Sequence, residues 1–256
     1  MNMPEHTIKR GLDRSQIKYI ATFAMVLNHI AAVFLNTGTW QFSLLSGIGY
    51  MTAPVMCRLL PDSFAHTRSR TAFGLRLLLF AFLSQIPFTL AFYSFLGGRF
   101  ELNMLFTLYL CFLLLSVQEY VRFVPLRYPL VFLILFASLW CDWGLLAPAY
   151  VLIFNEVRLG NITEGTGWIF TLLIAYLSDI LNLVTGIALN GNAGPARFLN
   201  LLLIMTGPAV AAFLFLRCYT GKEKEKGSTF SKWFFYIFYP AHLLVLVLIR
   251  EMIVSR

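Results

Sequence analysis

The chain has 256 residues, of which 59% are hydrophobic and 12% charged, and its formal net charge is +8. Soluble domains average roughly 45–50% apolar and roughly 25% charged residues, so this composition excludes a water-soluble globular protein. The basic residues lie in short segments between apolar runs, and no nucleic-acid-binding motif accompanies them, which argues against RNA or DNA as a partner. The four cysteines are scattered singly, so neither a disulfide framework nor a metal site is indicated.

Apolar runs long enough to cross a bilayer recur along the whole chain. A spanning helix needs about 20 mostly apolar residues, and lipid offers the backbone no hydrogen-bond partners, so each run should be helical. The predicted spans cover residues 18–36, 42–60, 71–96, 102–117, 128–154, 167–189, 198–216 and 233–249. The sequence therefore predicts an all-α fold, a polytopic integral membrane helical bundle of about nine spans (range eight to ten), in a single domain over residues 1–256.

The stretch 128–154 is either one long helix or two short helices that meet near Cys141-Asp142-Trp143-Gly144. Positive charge decides between them, because lysine and arginine concentrate in cytoplasmic loops. With two helices, the loops alternate between a strongly basic and a weakly basic set, and the lysine-rich segment 217–232 is cytoplasmic. With one helix, that segment would lie outside. We therefore predict nine spans, with the N-terminus cytoplasmic and the C-terminus outside.

Polar side chains inside the predicted spans are candidate functional groups, since an ionisable group in the bilayer core costs roughly 2.5–3.5 kcal/mol. His29 lies eleven residues after Lys18 on the same helical face. It is therefore roughly 16 Å from that end of the helix, too far to reach water. A neutral imidazole at this depth is a competent general base. The other candidates are Asn28, Arg76, Ser84, Gln85, Asn103, Thr107, Asp142, Asp179, Asn182 and His242.

Each of these candidates also has a structural interpretation. Serine, threonine and amide side chains in spans often only join helices, at about 0.6 kcal/mol each, and this fits Ser84, Thr107 and Asn182. Arg76 lies about one turn inside its span, where a long side chain extends to the headgroups. His242 follows Pro240, and a packed histidine would fill the kink there.

Several of these positions lie in motifs that resemble the TraX family, named for the acetylase of conjugative F-type pilin. Residues 17–30, which include Asn28-His29, resemble the start of that family. The family usually has aspartate before this histidine. Asparagine here retains an orienting hydrogen bond but cannot stabilise an imidazolium by charge. Further matches follow in order at residues 66–68, 76–81, 84–88, 102–108, 142–144 and 238–243.

The resemblance implies a membrane-embedded acyltransferase of the bacterial cytoplasmic membrane. It would pass an acyl group, most simply acetyl from acetyl-CoA, to an amine or hydroxyl acceptor at or across the membrane. The N-terminus of a membrane-inserted pilin is the family precedent, and the other acceptor classes that fit are another membrane protein, a glycan or a small molecule. The resemblance implies no metal, and membrane lipids are the other expected contact.

The resemblance also assigns roles to residues. His29 would deprotonate the acceptor or carry the acyl group covalently. The developing oxyanion would be stabilised by Asn103, Gln85 or Arg76. The acceptor would be bound by Asp142, Asp179 and His242. The phosphates of CoA would be held by basic residues, although topology alone would also place them there: Lys18, His66, Arg68 and Arg70.

These assignments predict a shared cavity. We expect His29, Asn103 and Asp179 to face it, and we expect it to open to the cytoplasm beside Arg68 and Arg70. Two other functions fit the same composition. A transporter or flippase would place polar groups in its spans, although no internal repeat or pair of broken segments of the transporter kind is visible. A non-catalytic membrane assembly factor would keep its activity when these polar residues are replaced.

Overall fold

The computed structural model describes residues 11–190, 195–221 and 229–255, and within these ranges the chain folds into ten α-helices and one π-helical turn. No β-strand occurs in the described ranges, apart from two isolated bridges. The all-α prediction is therefore confirmed. In chain order the helices are α1 Arg14–Phe34, α2 Trp40–Gly49, α3 Thr52–His66, α4 Arg70–Phe92, α5 Met104–Tyr120, α6 Val124–Ser138, α7 Leu146–Arg158, α8 Glu164–Asn190, α9 Pro195–Phe213, and, after the π-helical turn Leu214–Cys218, α10 Thr229–Val254.

Four helical segments among the described residues are long and apolar enough to cross a membrane. They are α1, α4, the segment Phe198–Cys218 and the segment Trp233–Val254. Helices α5 and α6 are apolar but shorter. Large apolar side chains such as Phe132 and Ile86 are 71% and 70% exposed, as expected for a surface that faces lipid. The chain thus has the character of a membrane protein, while the count of nine spans and the orientation of the N-terminus stay predictions.

Polar caps determine where several helices begin. Asp13 and Gln16 form a capping box at α1, in which each side chain accepts a hydrogen bond from the other residue's backbone amide, at 2.8 and 2.9 Å. Thr39, Ser69 and Asn103 cap α2, α4 and α5. A cap of this kind contributes about 1 kcal/mol because it satisfies an amide that the helix leaves unpaired.

The predicted span 42–60 falls on two helices and not on one. Helix α2 ends at Gly49 and α3 begins at Thr52, and the two linking residues, Tyr50 and Met51, keep right-handed helical dihedrals. Pro54 accounts for the interruption, because it lacks the amide that would bond to the carbonyl of Tyr50 and its ring disfavours an uninterrupted helix at that carbonyl.

The predicted stretch 128–154 forms two helices, α6 and α7, so the second alternative is confirmed. The loop between them pairs its backbone with the loop that precedes α5. The amide of Leu102 donates to the carbonyl of Trp140 at 2.9 Å, and the amide of Asp142 donates to the carbonyl of Leu102 at 2.7 Å. This pairing satisfies backbone groups that lipid could not. Trp143, in the same loop, has a φ of 62°, a conformation that is strained for a bulky side chain.

Helix packing brings α1, α4, α5 and α10 together. Helix α10 packs mainly on α4 and also on α1, while α4 packs on α5. Helix α2 packs closely on both α1 and α9. The second contact depends on glycine, since a Cβ on Gly47 would lie 2.0 Å from the carbonyl oxygen of Leu203. Small residues of this kind let helix backbones approach each other in membranes.

Candidate active site

One cavity among the described helices, called here the basic cavity, has a volume of about 400 Å³. It lies among the first half of α1, one face of α3 along its length, the first turns of α4 and α5, and residues 235–239 of α10. No carboxylate is found among its described lining residues. The ionisable lining groups other than tyrosine are Arg14, Lys18, His66 and Arg76.

Another cavity, called here the acidic cavity, has a volume of about 290 Å³. Its described lining includes three carboxylates, from Glu101, Asp142 and Asp179, and no lysine or arginine. His29 also lines it, as do the aromatic side chains of Phe42, Tyr50, Phe88, Phe92, Phe95, Trp143 and Tyr150.

The two cavities line different halves of α1 and of α4, and they share no described lining residue. The first half of α1 lines the basic cavity at Lys18, and the second half lines the acidic cavity at His29. These two residues are separated by roughly 16 Å along the helix axis. Helix α4 follows the same pattern, with Arg76 on the basic cavity and Phe92 on the acidic cavity.

A pair of buried histidines lies between the cavities. Nδ1 of His29 is 2.7 Å from Nε2 of His242, and the two rings are nearly parallel, at 9°. His29 and His242 are 7% and 8% exposed. His29 also contacts the ring edge of Phe92, while His242 lies parallel to the ring of Phe238, which lines the basic cavity.

The phenol of Tyr239 lies beside this pair. Its ring centroid is 6.3 Å from that of His29 and 5.6 Å from that of His242, and the side chain lines the basic cavity. Its hydroxyl is buried and makes no hydrogen bond of normal geometry to the described residues, although the backbone amide of Met104 is close. The sequence motif containing Tyr239 was noted above, but the residue itself was not chosen. Its position three residues before His242, on the same helical face, was the available signal.

Three of the residues predicted to interact with acyl-CoA or its oxyanion line the basic cavity: Lys18, His66 and Arg76. Arg68 is exposed and lies outside the described lining. Arg70 also lies outside it, because its guanidinium donates to the hydroxyl of Tyr120 and to the carbonyl of Phe64 at 3.3 Å. The structure therefore does not bring Arg68 and Arg70 to the cavity beside which they were expected.

The prediction that Asn103 shares a cavity with His29 and Asp179 is wrong. His29 and Asp179 do line the acidic cavity together, but Asn103 lines neither cavity. It is fully buried and caps α5, and its amide donates to the carbonyl of Ala81 and to Oε1 of Gln85, both at 2.8 Å.

Gln85 has a similar position outside both cavities, and its own amide donates to the carbonyl of Glu101 at 2.8 Å. These hydrogen bonds connect α4 to the loop before α5. They also occupy the amide groups that would otherwise be available to an oxyanion. Oxyanion stabilisation by Asn103 or Gln85 stays a prediction that would require these bonds to rearrange. The side chain of Asn182 and the run Lys222–Lys226 lie outside the described residues.

Two carboxyl groups of the acidic cavity lie in loops. Burial and, to a smaller extent, the neighbouring carboxylate of Glu101 raise the pKa of Asp142 to about 7, against the opposing effect of a hydrogen bond from the backbone amide of Trp143. Burial also raises the pKa of Glu101, against the opposing charge of Arg99. Both groups therefore hold their protons to higher pH than a solvated carboxyl does.

Comparisons with known proteins identify the family of this chain. No solved structure matches the chain. A fimbrial assembly protein of Dichelobacter nodosus, described as probable FimC, is 34% identical over 255 residues, which cover 93% of this chain and 97% of that protein. The model of the family described as TraX protein matches residues 13–250. The chain therefore belongs to the TraX family.

Proposed function

We propose that this protein is an acyltransferase of the bacterial cytoplasmic membrane that passes an acyl group, most simply acetyl, from acyl-CoA to an amine or hydroxyl acceptor. One observation carries the proposal: a buried histidine, His29, lies between a basic cavity and an acidic cavity. The basic side would take a cosubstrate rich in phosphate, and the acidic side would take the acceptor. Because the D. nodosus relative is described as a fimbrial assembly protein, a fimbrial or pilin subunit is the first acceptor to test.

The basic cavity suits the coenzyme in size and charge. Its volume of about 400 Å³ falls in the range of small-molecule sites, roughly 300–1,000 Å³. Arginine and lysine are the usual partners of phosphate. Lys18 and Arg76 would hold the phosphates of CoA, with His66 at the rim. The thioester would then extend along Tyr239 toward His29.

In the transfer step, the acceptor nitrogen or oxygen attacks the carbonyl carbon of the thioester. A C–N or C–O bond forms, the C–S bond breaks, and Nε2 of His29 takes the proton that the acceptor loses. The imidazolium returns this proton to the departing thiolate, so that CoA leaves as the thiol. In the covalent alternative, Nε2 of His29 carries the acyl group between the two partners.

The acidic cavity favours an amine over a hydroxyl acceptor. Carboxylates attract an ammonium group and would take its first proton, which leaves the neutral amine that attacks the thioester. Aromatic rings stabilise a nearby cation by about 0.5–1 kcal/mol or more. Asp179, Glu101 and Asp142 together with Trp143 provide both features. A neutral hydroxyl would gain nothing from this charge.

The test is transfer of label from radioactive acetyl-CoA in proteoliposomes, with cell-envelope fractions or a pilin as acceptor. The variant His29→Gln keeps hydrogen bonding but cannot act as a base. We expect roughly a 10²–10⁴-fold loss of transfer, which is the usual contribution of a general base. Normal abundance and an unchanged unfolding temperature would show that the variant folds. Full transfer by His29→Gln would contradict the mechanism and would move the role of base to Asp142 or Asp179.

A transporter is the second candidate, because two cavities that line different halves of α1 and α4 also fit alternating access. The same proteoliposomes separate the two functions. A transporter would move an intact solute across the membrane and leave no acceptor labelled. An acyltransferase would label the acceptor and release free CoA on the side where acyl-CoA was added.

A further inference from the structure

We propose that His242 is a positioning residue that fixes the tautomer of His29 and leaves Nε2 of His29 unprotonated. The inference rests on the proposed function for its catalytic meaning, and the tautomer is measurable without that function. The hydrogen bond that determines this tautomer lies on the side of His242 that faces away from His29. Nδ1 of His242 is 2.9 Å from the carbonyl oxygen of Phe238, one helical turn earlier in α10.

The chemistry of a carbonyl decides the protonation of His242. A carbonyl oxygen only accepts hydrogen bonds, so Nδ1 of His242 must carry a hydrogen and donate it to Phe238. A neutral imidazole has one protonated and one unprotonated nitrogen, so Nε2 of His242 carries a lone pair. In this buried and largely aromatic setting the neutral form is favoured, because a charged ring would lose its hydration.

The protonation of His242 in turn determines that of His29. Nε2 of His242 accepts, so Nδ1 of His29 donates across the 2.7 Å contact. Neutral His29 must therefore carry its lone pair on Nε2. That nitrogen is the one needed to take a proton or an acyl group, and His29 lines the acidic cavity. The opposite tautomer would place a hydrogen on Nε2 and would break the bond between the rings.

His242 would fill the place that a carboxylate fills beside many catalytic histidines. Among the described residues, no carboxylate hydrogen-bonds to either ring, and the residue before His29 is the neutral Asn28. When His29 gains a proton at Nε2, its Nδ1–H still donates to His242. The positive charge on His29 is thereby stabilised by Nε2 of neutral His242, whose ring is held by the carbonyl of Phe238. This arrangement avoids the cost of burying a carboxylate as well.

Two substitutions at one position separate positioning from packing. His242→Gln preserves the pattern, since its amide donates to Phe238 and its carbonyl accepts from His29. His242→Phe preserves a ring of similar size and removes both hydrogen bonds. We expect His242→Phe to lower kcat by roughly 10–100-fold, as other groups that orient a functional imidazole do. The KM for acetyl-CoA should be unchanged, and His242→Gln should retain most of the wild-type kcat.

Nitrogen NMR provides the readout that does not depend on activity. The chain has 4 histidines, so ¹⁵N-histidine labelling, with His29→Gln for assignment, resolves the His29 ring. We expect Nε2 of His29 to have the shift of an unprotonated nitrogen in wild type and in His242→Gln, and a mixture of tautomers in His242→Phe. A protonated Nε2 in wild type, or equal kcat for the Phe and Gln variants, would overturn the proposal. If wild type transfers no acyl group, the proposed function fails and the NMR result still decides the tautomer.

Discussion

Asp142 lies in a loop at the acidic cavity, and its raised pKa has a consequence for stability. In the unfolded chain its carboxyl ionises near its ordinary pKa of about 4. In the folded protein it keeps its proton until about pH 7. The folded state therefore binds more protons in this window, and stability falls as pH rises through it.

Replacement by asparagine should remove this dependence. The unfolding temperature of Asp142→Asn in detergent should rise relative to wild type between about pH 4 and pH 7 and then level off, since asparagine does not titrate. The measurement is a thermal-unfolding series across that range. The double variant with Glu101→Gln is the control for the neighbouring carboxyl. A difference that is constant with pH would contradict the assignment.

His29 shows how far single residues were predictable. The cost of a buried imidazole identified it from the sequence, and helical periodicity placed it on the face of Lys18. The partnership with His242 was not predictable, because the two residues are separated by 213 positions and no local pattern connects α1 to α10. The place of Asn103 outside the acidic cavity was not predictable, because a buried amide at a helix start serves as a cap as readily as it lines a cavity.

At the scale of elements, the contact between α2 and α9 depends on two glycines. A Cβ on Gly47 would lie 2.0 Å from the carbonyl oxygen of Leu203, and a Cβ on Gly207 would lie 2.1 Å from that of Gly47. Both neighbours are backbone atoms, so a rotamer change cannot relieve the overlap. Apolar runs predicted these helices, but the sequence contained no sign of which pair would touch.

The variant Gly47→Ala should therefore force α2 and α9 apart. We expect a loss of roughly 1–3 kcal/mol, as for other overpacked sites, seen as a lower unfolding temperature and less monodisperse protein in detergent. Gly165→Ala is the matched control, because a Cβ there would meet only Oγ1 of Thr163, at 3.9 Å. Equal stability of the two variants would show that the helices are not closely packed at Gly47.

For the whole molecule, the nine-span topology makes a prediction about α10. Its 26 residues correspond to roughly 39 Å, more than the hydrocarbon thickness of about 30 Å. The distribution of positive charge predicts that the lysine-rich segment before it is cytoplasmic and that the tail after Arg250 is outside. Reporter fusions at Lys226 and at Ser255 should give opposite signals. The same signal at both positions would rule out the nine-span arrangement.

The separation of the two cavities has an energetic consequence for a cell with a polarised membrane. Moving one elementary charge across the bilayer involves about 2.3 kcal/mol per 100 mV. On the proposed function, the phosphates of CoA stay at Lys18 and Arg76, and only an uncharged acyl group passes His29. Export of the group would then do no work against the membrane potential. The rings of Phe92, Phe238 and Tyr239, which pack against the histidine pair, would meanwhile oppose the passage of ions between the cavities.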